Sequence, residues 1–563
     1  MSHETSQDGL LQQLKSFNMV FWIANTIEMI ERLAYYGLRT VVPVYMLLAV
    51  EEGGPQFDNI QKGMIFAWWA AVQSFVPIFS GSFADRIHYK GTIGVSIAVK
   101  IAGYLLMAFA VDLAGIMTGG TSLGEAGHPV TFYTFAAGAL LLALGTAIFK
   151  PGIQGILALQ MTERNASTGW ALFYQLVNLG GFLGPFLAGA MRLMAWKWVF
   201  VSCAIIVAIN YLLLLMFKEP EVDRKPMELL EVPRTLWRTG IGICEPRLMA
   251  FLVVFSGFWA MFNQLFDLLP NYIEDWVDSS AVLTAVVAPL LGVFGGTPPE
   301  AWGGNVPQEF MINLNAGMIM IMAFAVGFVT GKIRSMTAMV VGILISAAGI
   351  AALGLSTSGW VVLGCIALFS LGEMSASPTK MRYFSSIAPP GKKAQYLGYI
   401  NATNGIGWAL GSMVAGAMYE EGGDKVVLAR RHLIDAFGQP AEAVEALQKT
   451  EVLPRLAEVA ELSVADAQAL LYATYQPNDI WFHFASIGVV SMVGLIAYDQ
   501  ITRRNLAIEA WILVALTALL AGWTYGLLWA AIFSGMMLMW MAIHKLNPNY
   551  VDVHEPEEAK KAA

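Results

Sequence analysis

The sequence predicts an all-α protein that crosses a membrane many times. Three observations carry this expectation. Of the residues, 57% are hydrophobic and only 13% are charged, about half the charged share of an average soluble domain. The apolar residues fall in runs of about 20, the length of a helix that crosses the hydrocarbon core. Lysine and arginine concentrate in alternate connections, as expected when short basic loops stay in the cytoplasm. The formal net charge of −8 and the lack of a Lys/Arg-rich run exclude nucleic acid as a partner. Cys203, Cys244 and Cys365 lie far apart, in or beside apolar runs, and form neither a disulfide framework nor a metal-ligand pattern.

Spans are expected at 18–50, 60–84, 91–112, 130–158, 166–192, 196–217, 248–276, 309–331, 335–356, 358–387, 393–419, 479–499, 505–521 and 524–544. The N-terminus has no basic stretch followed by a short apolar run and cleavage site, so the first span is expected to act as the insertion signal. Fourteen spans put both ends on one side, and the charges say which. Arg86 and Lys90 follow the second span, Arg164 the fourth, and Lys332 and Arg334 the eighth. Lys218, Arg224, Lys225, Arg234, Arg238 and Arg247 follow the sixth. Lys380, Arg382, Lys392 and Lys393 close the tenth, and Arg503 and Arg504 follow the twelfth. The connections after spans three, seven and nine carry none. Both termini are therefore expected in the cytoplasm, with the chain in the cell (inner) membrane.

The expected organisation is a first half at 1–217, a cytoplasmic linker at 218–247 and a second half at 248–499. Two additional spans at 500–545 and a cytoplasmic tail at 546–563 follow. Within the second half, residues 420–478 form an extracytoplasmic insert. Its run "PAEAVEALQKTEVLPRLAEVAELSVADAQALL" has helical spacing and reads as a small helical hairpin. The apolar stretch 279–296 is short and runs into Gly and Pro, so it reads as an external re-entrant or interfacial helix.

The first span contains "NTIEMIERLAYYGLRT", residues 25–40. A charge at the bilayer centre costs at least ~2.5–3.5 kcal/mol on insertion scales, yet this helix holds four. Glu28, Glu31, Arg32, Tyr35, Tyr36 and Arg39 fall on one stripe about 140° wide. The opposite face is Ile, Met, Leu and Val and can meet lipid. The charges then look into the bundle, where they pair with one another.

The loop "GSFADRIHYKG", 81–91, resembles the Gly-x-x-x-Asp-Arg loop of the major facilitator superfamily, and "GKIRSM", 331–336, resembles a reduced copy. The resemblance implies two six-helix halves related as a repeat. Gly81, Asp85 and Arg86 would latch one conformation of the bundle. The stripe itself resembles Glu-x-x-Glu-Arg-x-x-Tyr-Tyr-Gly, the hallmark of the proton-dependent oligopeptide transporter (POT) family, intact from Glu28 to Gly37. "GTAIFKPGIQ" resembles the family's span-four motif and gives Lys150; "FYQLVNLGGFLGP" resembles span five and gives Tyr174 and Asn178. "INLNAGMI" and "LGEMSASP" resemble segments of spans eight and ten and give Asn315 and Glu373. The span-seven segment "FWAMFNQLFDLLP" departs from the family: Asn263 stands where a carboxylate precedes Gln264, and Asp267 one turn on is a candidate replacement and partner of Arg39.

The resemblance implies a proton-coupled symporter of di- and tripeptides that works by alternating access. Arg32 and Lys150, with Arg39, would meet a peptide carboxylate, and Glu373 its ammonium. Tyr35, Tyr36, Tyr174, Asn178 and Asn315 would hold its backbone. Glu28, Glu31, Arg32, Lys150, Glu373 and Asp267 would carry the coupling. Glu28 or Glu31 would change its proton occupancy as Lys150 or Arg32 is borrowed by a substrate carboxylate, and Glu31→Gln is expected to spare exchange and abolish pH-driven accumulation. No nucleotide-binding loop occurs, so a proton and not ATP is the expected driver. No cofactor or metal is expected, and the chain is expected not to be an enzyme. His88, His128, His432 and His483 are scattered without catalytic or ligand spacing. Small peptides and the bilayer are the expected partners, and the monomer the working form. The alternatives are a relative that moves another small zwitterion or anion, and a non-transporting receptor capped by 420–478.

Overall fold

A computed structural model describes residues 10–84, 88–162, 165–219, 246–388 and 393–504. The described secondary structure is helical apart from a single parallel bridge, Asp278 to Ser358. Nine described helices are long and apolar enough to cross a membrane. Three more complete the first twelve expected spans; they carry charges, or glycine and tryptophan, that lower their hydropathy. We number the twelve α1 (Met19–Leu47), α2 (Asn59–Ala84), α3 (Tyr89–Ala108), α4 (Pro129–Leu159), α5 (Ala166–Arg192) and α6 (Trp196–Leu215), then α7 (Pro246–Phe262), α8 (Leu314–Gly331), α9 (Ser335–Leu353), α10 (Gly359–Ile387), α11 (Asn401–Gly422) and α12 (Asp479–Arg504). The two spans expected at 505–521 and 524–544 and most of the linker lie outside the described residues.

Helix ends follow local chemistry. Pro129 opens α4, where it removes a donor that would be orphaned anyway, and His128 Nδ1 accepts from Val130 N–H. Prolines inside α1, α2, α4, α5 and α10 are tolerated, as is usual for membrane helices packed on neighbours. The expected span 248–276 is not one helix. It breaks at Asn263 and again at Leu268, and continues as Gln264–Asp267 and Leu269–Trp276. A short helix, Gln308–Ile312, likewise precedes α8.

The chain divides into two compact units. The first comprises residues Met1–Tyr45 and Phe79–Glu228, the second Met46–Ile78 and Leu229–Ala563. In the first unit α1 is buried on every side from Ile23 to Leu47, apart from a few half-buried residues. The apolar face, which the sequence leaves free to meet lipid, largely meets protein, with Met29, Ile30 and Leu33 half-buried. Ile27, Ala34 and Leu38 are fully buried. Cys203 Sγ and Asn210 Nδ2 of α6 donate to the carbonyls of Ala34 and Ile27, at 3.3 and 3.2 Å. On α5, Gly184 touches Gly37: a Cβ on Gly37 would lie 2.9 Å from the Gly184 carbonyl oxygen. Small residues let membrane helices approach closely where lipid supplies no hydrophobic drive.

In the second unit α9 and α10 pack in the same manner, with Gly342 against Gly372. Most of α2, up to Ile78, also packs here, against α11. Asn59 N–H and Nδ2 donate to Glu420 at 2.9 Å each, and Nδ2 also donates to Asp424 at 3.0 Å. Lys62 Nζ donates to Asn59 Oδ1 and Asn271 Oδ1 at 2.9 and 2.8 Å.

The insert is not the expected hairpin. It folds into four short helices, Lys425–Asp435, Ala441–Glu445, Val452–Val459 and Val464–Tyr475. Gly438 at positive φ, followed by Pro440, ends the first helix and forces a turn that helical spacing alone does not reveal. The four helices share a core of Leu428, Leu433, Val444, Val452, Leu456 and Leu471. Gln468 Nε2 donates to the Asp275 carbonyl at 2.8 Å, tying the insert to the end of the seventh span. The stretch 279–296 contains a 14-residue apolar helix, Ser280–Val293, too short to span. Just before its start, Asp278 Oδ1 accepts from Ser280 N–H and Oγ, and these bonds hold its carboxyl below the usual range.

Gly184→Val is expected to lower folding stability by about 1–3 kcal/mol through overpacking. Gly364→Ala, on an open face of α10, is expected to be neutral. Thermal unfolding of both variants in detergent checks the contrast.

Candidate functional site

The first unit gathers its ionisable groups around α1. Arg32 Nε lies 2.8 Å from Glu28 Oε1 and 3.0 Å from Glu31 Oε2. The other oxygen of Glu31 lies 3.1 Å from Lys100 Nζ on α3. All four side chains are buried. The Lys100 ammonium stands 3.8 Å from the centroid of the Phe149 ring on α4, a cation–π contact. Lys150, the next residue on α4, interacts electrostatically with Arg32, Glu28 and Glu31 and has no hydrogen-bond partner among the described residues. Two carboxylates therefore face three basic side chains, an excess that favours an incoming anion. Glu28 Oε2, Glu31 Oε2 and Arg32 Nη2 are buried and make no hydrogen bond among the described residues. Each is an open position for a proton or a ligand oxygen. Tyr35 packs edge-on against Tyr36 and lies beneath Arg32, 5.7 Å from its guanidinium carbon. Arg39, two turns on from Arg32, is buried.

In the second unit Asn315 Nδ2 donates to Glu373 Oε2 at 2.8 Å and to Ser370 Oγ at 2.9 Å. The structure thus joins two residues that the motifs supplied separately. Asp267 sits beyond the break in the seventh span and accepts from Trp408 Nε1 at 2.8 Å and Ser412 Oγ at 2.5 Å, both on α11. Asn263 spends its amide on its own helix, donating to the Trp259 carbonyl at 2.7 Å, with a longer bond to Asn404 Oδ1.

On α5, Tyr174 is substantially exposed, and Asn178 Nδ2 donates to its carbonyl at 2.8 Å. Of the expected latch, Gly81 lies in the last turn of α2, while Asp85 and Arg86 are outside the described residues.

Residues 26–412 match the family model of the Major Facilitator Superfamily. The chain belongs to the major facilitator superfamily. It is 24% identical to the peptide transporter YePEPT of Yersinia enterocolitica subsp. palearctica, over 69% of this chain and 86% of that protein. It is also 26% identical to the uncharacterized transporter YclF of Bacillus subtilis over 166 residues, a match that spans 30% of YclF. The fold is that of a POT family transporter crystallised with a thioalcohol-conjugated peptide: TM-score 0.60 at 16% identity, over 88% of this chain and 99% of that one.

This facilitator holds three buried lysines that the motifs did not flag. Lys100 interrupts the apolar run "SIAVKIAGYLLMAF" of α3 and is fully buried. An ionisable residue at membrane depth is itself a signal of function. Lys62 carries the same signal in α2. Lys380, read from the sequence as a charge at the tenth span's end, is packed against protein there. It lies two turns beyond Glu373 on α10 and is buried, with Nζ 3.9 Å from the centroid of a Trp259 ring. Because seven residues make two helical turns, Lys380 and Glu373 share a face, and they interact electrostatically.

Ser412→Ala removes a hydroxyl from the buried Asp267 carboxylate. It is expected to cost about 1.5–3 kcal/mol, the range for hydrogen bonds to charged groups. Thermal unfolding, with Ser375→Ala as a control whose hydroxyl donates to the Leu371 carbonyl of its own helix, checks this.

Proposed function

We propose that this chain is a proton-coupled symporter of di- and tripeptides. The observation that carries the proposal is the Glu28–Arg32–Glu31 triad, buried in a membrane helix and backed by Lys100 and Lys150. The similarity to YePEPT supports the peptide class. A peptide is a zwitterion. The first unit offers cations for its carboxylate, with one guanidinium nitrogen of Arg32 open. The second unit carries a carboxylate of its own, Glu373, oriented by Asn315. Tyr35, Tyr36, Tyr174 and Asn178 suit backbone contacts that ignore side-chain identity, which favours broad specificity.

A carboxylate bound to a cation changes its proton occupancy when a ligand borrows that cation. Moving one proton down ~100 mV supplies ~2.3 kcal/mol, and each pH unit adds ~1.4 kcal/mol. Both termini in the cytoplasm, the cell membrane as location and the monomer as working form complete the proposal.

The test is uptake of labelled dialanine into proteoliposomes, with and without an inward proton gradient. Gradient-dependent accumulation, competed by mixed di- and tripeptides and not by free alanine, is the expected result. Counterflow without accumulation would mean that the proton is not coupled. No interaction with dialanine would favour another small zwitterion or anion as substrate.

A further inference from the structure

Glu31 lies between two cations, and the second is built into the helix packing. The Lys100 stem runs from α3 across α4 at Gly145. A Cβ on Gly145 would fall 2.4 Å from Lys100 Cγ and 3.0 Å from the Ser96 carbonyl oxygen. Ser96 Oγ donates to the Gly145 carbonyl at 2.6 Å and pins the crossing. The slot leads the ammonium over the Phe149 ring to Glu31. A lysine on a free stem is mobile; one threaded past a glycine and seated on an aromatic face has lost that freedom before any ligand arrives.

Glu28 is held differently. Its one ion pair among the described residues is with Arg32. Its second oxygen is buried with no hydrogen bond among them, as is Glu31 Oε2, but only Glu31 has a second cation, Lys100, on its other oxygen. The other groups near the pair among the described residues are Tyr36 on α1 itself, Lys150 from α4, Tyr104 from α3 and, beyond Tyr104, the Cys203 thiol from α6. A ligand carboxylate that engages Arg32 therefore loosens the single ion pair of Glu28, while Glu31 keeps Lys100.

We propose that Lys100 is a positioning residue, the fixed counter-ion that keeps Glu31 out of proton exchange and leaves Glu28 to take up and release the coupling proton. This rests on the symport reading above. The accounting is simple. A proton from outside binds a Glu28 carboxylate oxygen and neutralises it. Arg32 is then released to the peptide carboxylate. When peptide and proton leave on the other side, the Arg32–Glu28 pair re-forms. Arg32 also leaves and regains its second contact, Glu31 Oε2 at 3.0 Å, while Glu31 stays paired with Lys100. The inference revises the expectation for Glu31→Gln, which now strands the Lys100 charge.

The test uses the full chain in proteoliposomes and compares counterflow of labelled dialanine with gradient-driven accumulation. Glu28→Gln is expected to lose accumulation at least tenfold more than it loses counterflow. Lys100→Met and Glu31→Gln are each expected to lose both activities, because each leaves a buried charge without its partner. Combined, they are expected to recover at least tenfold in counterflow over either single variant, with a response to the gradient. A purely structural ion pair does not predict that contrast with Glu28→Gln. A double variant that recovers counterflow and ignores the gradient overturns the proposal, because Glu31 then carries the proton. So does a Glu28→Gln chain that still accumulates dialanine. Independently of refolding in the double variant, a pH-sensitive dye in weakly buffered detergent reads protons exchanged on dialanine binding: present in the wild type, absent in Glu28→Gln. A wild type that exchanges dialanine and ignores the gradient brings down the symport reading as well, which separates the two failures.

Discussion

A charge placed at membrane depth must find an opposite charge or a polar partner, and much of the first unit follows from meeting that need on α1. The stripe from Glu28 to Arg39 cannot face hydrocarbon, so α1 is wrapped by protein. Its opposite face is closed by α6 through Cys203 and Asn210. Wrapping a helix this closely needs small residues, and the glycines of the stripe motif and the fifth span supply them at Gly37 and Gly184. The same need draws Lys100 through the Gly145 slot to Glu31. Buried ion pairs seldom add stability over apolar packing, so a cluster of this size points to work done on a ligand or a proton.

The second unit answers the same constraint with different partners. Asp267 is held by an indole N–H and a hydroxyl, Glu373 by an amide, and Lys380 by an indole face. The seventh span and the approach to α8 are interrupted, though backbone bonds such as Asp267 N–H to the Asn263 carbonyl and Gly317 N–H to the Asn313 carbonyl bridge the interruptions. Such breaks persist in membranes only where protein surrounds them; Gln264, Leu265 and Asp267 are all buried.

Away from these clusters, Lys62 shows how a polar network forms at a helix start. Asn59 faces two carboxylates through its amide N–H groups and presents its carbonyl oxygen to Lys62, so one side chain relays between opposite charges. The insert nearby is a small folded body with its own apolar core, anchored to the end of the seventh span by Gln468 and by Tyr472 against Trp276.

The sequence by itself determined the helical class, the first twelve spans and the residues of the α1 stripe. Composition, run length and the 3.6-residue period are properties of consecutive residues and need no fold. It also supplied Asn315 and Glu373, though only as separate motifs. Tertiary structure alone decided the pairings. Lys100 meets Glu31 across 69 positions, and Asn315 meets Glu373 across 58; no local period connects such residues. It decided too that Lys380 is buried, because a lysine near the end of a long apolar run reads the same whether it reaches water or packs on an indole. The protein on the far side of α1 was hidden for the same reason: an apolar face is equally suited to lipid and to a neighbouring helix, and only packing chooses between them.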